Sequence, residues 1–88
     1  MGGSPQAQFE LGKHLSRNWK DKEAIEWFQK AAEQGHIEAQ NSLGDCYASD
    51  NYGQKDIAKA IEWYSKAAAQ GHNMAKFNLN LLRNYGKK

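Results

Sequence analysis

An all-α fold, a solenoid of stacked helical hairpins, is what this chain predicts, and three observations predict it. The block Ala24-Ile25-Glu26-Trp27-Phe28-Gln29-Lys30-Ala31-Ala32 returns almost unchanged as Ala60-Ile61-Glu62-Trp63-Tyr64-Ser65-Lys66-Ala67-Ala68, a step of 36 residues. Both copies run on to Gln-Gly-His, at Gln34-Gly35-His36 and Gln70-Gly71-His72. Apolar residues recur at helical spacing throughout, so each segment has one face to bury. A unit repeated at a period between about 20 and 50 residues cannot bury that face alone, and stacks on its neighbours.

The elements follow in order. Ser4-Pro5 starts a first helix, since serine accepts a bond from a free backbone N–H and proline is tolerated in the first turn. Ala7, Leu11 and Leu15 fall at i, i+4 and i+8 on one face, and Gly12 offers a place of close approach. Asn18 ends this helix in the left-handed conformation, which asparagine tolerates. Asp21 is the expected N-cap of a second helix running to Gln34, with Gly35 closing it. Its apolar face is Ala24, Ile25, Phe28, Ala31 and Ala32, and Lys22, Glu26 and Lys30 give charge pairs on the solvent side. Ala39, Leu43, Gly44 and Tyr47 repeat the places of Ala7, Leu11, Gly12 and Leu15 at a step of 32, and Asp56 caps a fourth helix ending at Gln70. The four extra residues of the second copy fall in the loop 50–55. Ala75 and Leu79 begin a third copy of the first helix, which caps the last hairpin.

Composition narrows the function. The chain has 88 residues, room for one small domain. A net charge of +2, with 25% charged residues of mixed sign, does not describe a binder of nucleic acid. One cysteine makes no internal disulfide. No apolar run approaches the roughly 20 residues that span a bilayer, so no membrane partner is expected. Without a signal-like start the chain as given reads as soluble and unexported, and its compartment is not specified. Residues 1–4 read as a tag or linker remnant.

The pattern Ala39-x-x-x-Leu43-Gly44-x-x-Tyr47, followed by Asp56, Lys59, Ala60, Trp63, Tyr64, Lys66, Ala67, Ala68, Gln70 and Gly71, resembles a Sel-1-like repeat. That family is a branch of the tetratricopeptide superfamily. The resemblance covers residues 5–86, as repeat 1 (5–36), repeat 2 (37–72) and a capping helix (73–86). The first copy keeps the shorter tetratricopeptide interval, Asn80 and Arg83 replace the glycine and tyrosine of the third, and Asp50 and Tyr52 stand where the family has glycines. The resemblance implies a right-handed α/α superhelix of two hairpins plus a capping helix, five helices in all, whose first helices line a concave groove. It implies a protein–protein interaction adaptor that binds a peptide or partner protein, and no enzyme. By register the groove positions would be Gln6, Phe9, Lys13 and Ser16, then Glu38, Asn41, Asp45 and Ala48, then Met74, Phe77, Leu81 and Asn84.

In such a groove Phe9, Met74, Phe77 and Leu81 would flank a polar strip of Glu38, Asn41 and Asp45, which suits a short peptide with a basic centre. The competing reading packs Phe9 on the neighbouring hairpin and makes Phe77 and Leu81 the end of a truncated solenoid. The paired cations and asparagines with which some tetratricopeptide domains clamp a carboxylate are not in these positions. His14, His36, His72 and Cys46 lack the close pairs of a structural zinc site, so neither metal nor cofactor is expected, and Cys46 reads as a small buried residue. The sequence Asp50-Asn51-Tyr52-Gly53 lacks the alternating carboxylates of a calcium loop. Trp27 and Trp63 read as packing residues, and Trp19 as a staple of the short loop onto the following helix rather than an exposed contact. A rival reading is an engineered or trimmed mini-scaffold with no dedicated ligand, weakly self-associating through its apolar terminal helix.

Overall fold

A computed structural model describes residues 3–49, 53 and 55–85. Five helices follow in chain order: α1 (Pro5–Arg17), α2 (Asp21–Glu33), α3 (Ile37–Ala48), α4 (Ile57–Ala69) and α5 (Asn73–Tyr85). No strand occurs among the described residues. Each helix packs chiefly on the one before it and the one after it. That succession is a solenoid, 45 × 27 × 16 Å.

The start signals act with one shift of register. The Ser4 hydroxyl accepts from the Ala7 N–H at 3.1 Å, and Asp56 accepts from the Lys59 N–H at 3.1 Å. Asp21, expected as the cap of α2, is instead its first residue, and Lys20 takes the cap position without a side-chain bond. A carboxylate in the first turn still faces the positive end of the helix dipole. The Asp56 N–H donates to the Tyr47 carbonyl at 2.7 Å, tying together the ends of the longer loop. Residues 50–52 and 54 of that loop, and with them the calcium-loop comparison, lie outside the described residues.

Three helices end in one motif. The Gly35 N–H bonds the Ala32 carbonyl and the His36 N–H reaches back to Ala31. Gly71 and His72 do the same with Ala68 and Ala67, and Trp19 and Lys20 with Ser16 and Leu15. The residue after the cap must then be left-handed. Gly35 and Gly71 have φ of 91° and 93°, and Trp19 has φ of 63°. The expectation that Asn18 would take this conformation is therefore corrected. Asn18 lies at φ −99°, its Nδ2 donating to the His14 carbonyl at 2.8 Å, which leaves the next residue to make the reversal. Trp19 is no staple either, for it is 87% exposed. The left-handed backbone directs its side chain away from the hairpin.

The core runs along the stack. Ala24, Ile25, Phe28, Ala31 and Ala32 of α2 are all buried, as are Ala39, Leu43 and Tyr47 of α3 and Ala60, Tyr64 and Ala67 of α4. Within each hairpin an aromatic ring of the second helix lies on a glycine of the first. A Cβ added at Gly12 would come 2.8 Å from the Phe28 ring, and one at Gly44 would come 2.6 Å from the Tyr64 ring. The expected buried face of α1 is only partly formed. Ala7 and Leu11 are exposed and Leu15 half-buried, and the residues α1 buries are Gln8, Phe9 and Gly12. In α3 the matching Ala39 and Leu43 lie on the side of the preceding helix, whereas no helix precedes α1 among the described residues.

Two stability changes follow. Gly44→Ala should cost about 2 kcal/mol, since the methyl group must displace a buried ring; urea unfolding against the wild type measures it. Trp19→Gly should raise stability by about 1 kcal/mol, because the left-handed strain goes while little packing is lost. In a domain this small that is a rise in Tm of about 4 °C or more, read by thermal circular dichroism.

Candidate functional site

The first helix of each repeat has three sides, and α3 shows what each meets. Ala39 and Leu43 are buried where α3 follows α2, and Gly44 lies under the Tyr64 ring of α4. The third side carries Glu38, Asn41 and Asp45, which remain exposed or half-buried. The matching sides of α1, α3 and α5 lie next to one another. Asn78 Nδ2 donates to Asn41 Oδ1 at 3.3 Å across α5 and α3.

Two histidines hold these helices in line. His36 Nδ1 accepts the Ala39 N–H at 3.0 Å, which places the proton of the neutral ring on Nε2, 2.8 Å from Gln6 Oε1. His72 repeats the arrangement, accepting from the Ala75 N–H at 3.0 Å with Nε2 3.3 Å from Glu38 Oε2. Each histidine thus caps one first helix and ties it to the first helix before. Glutamines link the two helices within each hairpin. Gln34 Nε2 donates to Gln8 Oε1 at 2.6 Å, and Gln70 Nε2 to Gln40 Oε1 at 2.8 Å. These links escaped the sequence reading, although Gln8 and Gln40 share a repeat position, as do Gln34 and Gln70.

The residues expected to form a groove divide into three groups. On α5, Met74, Phe77 and Leu81 are 58%, 57% and 54% exposed, and Asn84 is exposed. They stand 36 residues on from Glu38, Asn41, Asp45 and Ala48. The side of α5 equivalent to the one that meets a second helix in α3 carries Lys76, Asn80 and Arg83 in place of Gln40, Gly44 and Tyr47, and all three are exposed. The edge that α5 presents is thus polar, and the apolar trio lies off it, on the side continuous with Glu38, Asn41 and Asp45. On α3, Glu38 and Asp45 are exposed and Asn41 and Ala48 half-buried. On α1, Gln6 is exposed and Lys13 and Ser16 are half-buried.

Phe9 departs from expectation, and its place as an apolar flank of a groove is corrected. It is buried, its ring 5.9 Å from that of Phe28 and 4.8 Å from that of His36. Its area is spent within the stack. What α1 offers instead is charge. Lys13, Ser16, Arg17, Phe28, Ser42 and Asp45 line a cavity of about 220 Å³ between α1 and α3. Arg17 and Ser42 were not singled out in the sequence. The signal available for Arg17 was its place one turn beyond Lys13.

Asp45 and Tyr64 join this face to the core. The Tyr64 hydroxyl donates to Asp45 Oδ1 from beneath the first helices. Burial, then the hydrogen bond to Asp45 and the charges of Asp45 and Cys46, pushes the Tyr64 hydroxyl well above the usual tyrosine range. Although Asp45 as a residue is exposed, burial of its carboxyl end raises its pKa, and the Tyr64 hydroxyl and the charge of His72 oppose that rise. Cys46 is buried. His14 contacts Asn18, Nε2 to Nδ2 at 3.3 Å. Among the described residues no group of three or more His, Cys, Asp or Glu could hold a metal ion, and no helix is long and apolar enough to cross a membrane. Trp27 and Trp63 are half-buried, with Lys30 and Lys66 over their rings at 4.3 and 5.5 Å.

The family model described as Sel1 repeat matches this chain twice, at residues 5–36 and 37–72. No curated protein and no solved structure matches it.

The Tyr64 proton gives a pH prediction with a definite sign. Because the folded state holds it through a range where the unfolded chain has released it, stability is unaffected below about pH 10 and falls as pH rises above that. Tyr64→Phe should cost about 1 kcal/mol at pH 7. Above about pH 10 the wild type should lose its advantage at up to about 1.4 kcal/mol per pH unit, measured by urea unfolding of both proteins from pH 7 to 11.

Proposed function

Since the chain belongs to the Sel1 repeat family, we propose that it is a protein-binding module that takes a peptide segment of its partner across the side of the stack formed by α1, α3 and α5. Sel1 repeats are generally protein–protein interaction modules, built as non-catalytic scaffolds. One observation carries the more specific reading: Met74, Phe77 and Leu81 are more than half exposed beside the polar edge of α5. Apolar side chains so placed cost hydration free energy until something covers them. The neighbouring Glu38, Asn41 and Asp45 supply the polar contacts that orient a bound chain.

A peptide-library screen tests this. Hits from the wild type should lose at least about tenfold in affinity with Phe77→Glu, and a smaller factor with Glu38→Lys. Both positions are exposed, so circular dichroism should show an unchanged fold. Unchanged affinity in both variants would put the contact elsewhere. A second copy could compete for the same stripe, but three half-exposed side chains a side fall short of the roughly 1,000 Å² that a stable interface needs. Light scattering across concentrations should accordingly show a monomer.

A further inference from the structure

The side formed by α1, α3 and α5 changes character from one helix to the next. α5 contributes Met74, Phe77 and Leu81, with no charge in the stripe. At about 100° per residue, Lys76 and Arg83 project well away from it. α3 contributes the carboxylates Glu38 and Asp45, and α1 contributes Lys13 and Arg17, which line one cavity with Asp45. Lys13 Nζ is 3.7 Å from Glu10 Oε1, but more than a third of the Lys13 side chain and more than half of that of Glu10 remain exposed, and such a pair contributes little that a second carboxylate could not replace. The Arg17 guanidinium makes no hydrogen bond or ion pair among the described residues. Apolar, anionic and cationic zones therefore follow in that order across three neighbouring helices.

Helices that touch through their side chains, as α1, α3 and α5 do, lie about 10 Å apart, and an extended chain advances about 3.3 Å per residue. One helix is thus crossed for every three residues or so of a strand laid along the stack, at right angles to these helices. We propose that the bound segment is extended and carries, at intervals of about three residues, a large apolar side chain over α5, a Lys or Arg over Glu38 and Asp45 of α3, and an Asp or Glu between Lys13 and Arg17 of α1. This rests on the peptide-binding reading above and adds to it the order of the side chains. The complementarity is selective in both directions. A segment with its two charges exchanged meets like charge at both polar zones, while its apolar contact is unaltered.

The test uses synthetic peptides of one composition, with Leu, Lys and Glu three residues apart in the proposed order or with Lys and Glu exchanged. Each is made in both chain directions, and titrated into the intact protein at low salt. In one direction the ordered peptide should bind about tenfold more tightly than the exchanged one, and Lys13→Glu with Arg17→Glu should erase that preference. Equal affinity of the two orders in the wild type overturns the proposal. If both then weaken with Phe77→Glu, the binding side stands and only the charge order falls; if neither responds, both readings fall. Library hits that lose affinity with Phe77→Glu but lack the pattern, while none of these peptides binds, would likewise overturn the order and leave the binding side in place.

Discussion

The contact on which the rest of the structure depends is an aromatic ring lying on a glycine. Phe28 sits on Gly12, and Tyr64 sits on Gly44, closer than any Cβ would permit. This close approach holds the two helices of a hairpin together and buries Ala24 and Ala60 between them. It also turns the first helix so that one side meets its own partner, one meets the preceding hairpin and one is left for neighbouring first helices and solvent. Tyr64 does more, since its hydroxyl reaches Asp45 on that open side. A packing residue thereby holds a surface carboxylate in place.

Hairpins are joined to one another by polar links as well as by packing. The imidazoles of His36 and His72 cap α3 and α5 while reaching back to Gln6 and Glu38. Gln34 and Gln70 reach to Gln8 and Gln40, which ties the two helices within each hairpin. Hydrogen bonds have narrow geometric limits, so a set that recurs at each junction fixes the register of successive first helices more sharply than apolar contact can. The ordered succession of charge and apolar surface across α1, α3 and α5 follows from that register.

How much was legible varied with how local each feature is. The five helices, the closing glycines Gly35 and Gly71, the Asp56 cap and the buried set of α2 all followed from spacing along the chain. Phe9 did not, because its burial depends on Phe28 and His36, which reach it only when the hairpins stack. Ala7 and Leu11 erred the other way: the repeat equates them with Ala39 and Leu43, yet burial needs a preceding helix. Trp19 took the left-handed position that glycine holds in the other turns, and residue preference alone had assigned that position to Asn18.

By itself the sequence determined that this protein is a helical repeat, because periodicity, capping and the 36-residue echo are properties of neighbours along the chain. Only the tertiary structure decided which repeated positions stay open. It buried Phe9, brought Arg17 and Asp45 to one cavity, and left Met74, Phe77 and Leu81 uncovered beside a polar edge. The physical reason is that equivalent residues have equivalent surroundings only when a helix lies on each side of them, and among the described residues none precedes α1 or follows α5.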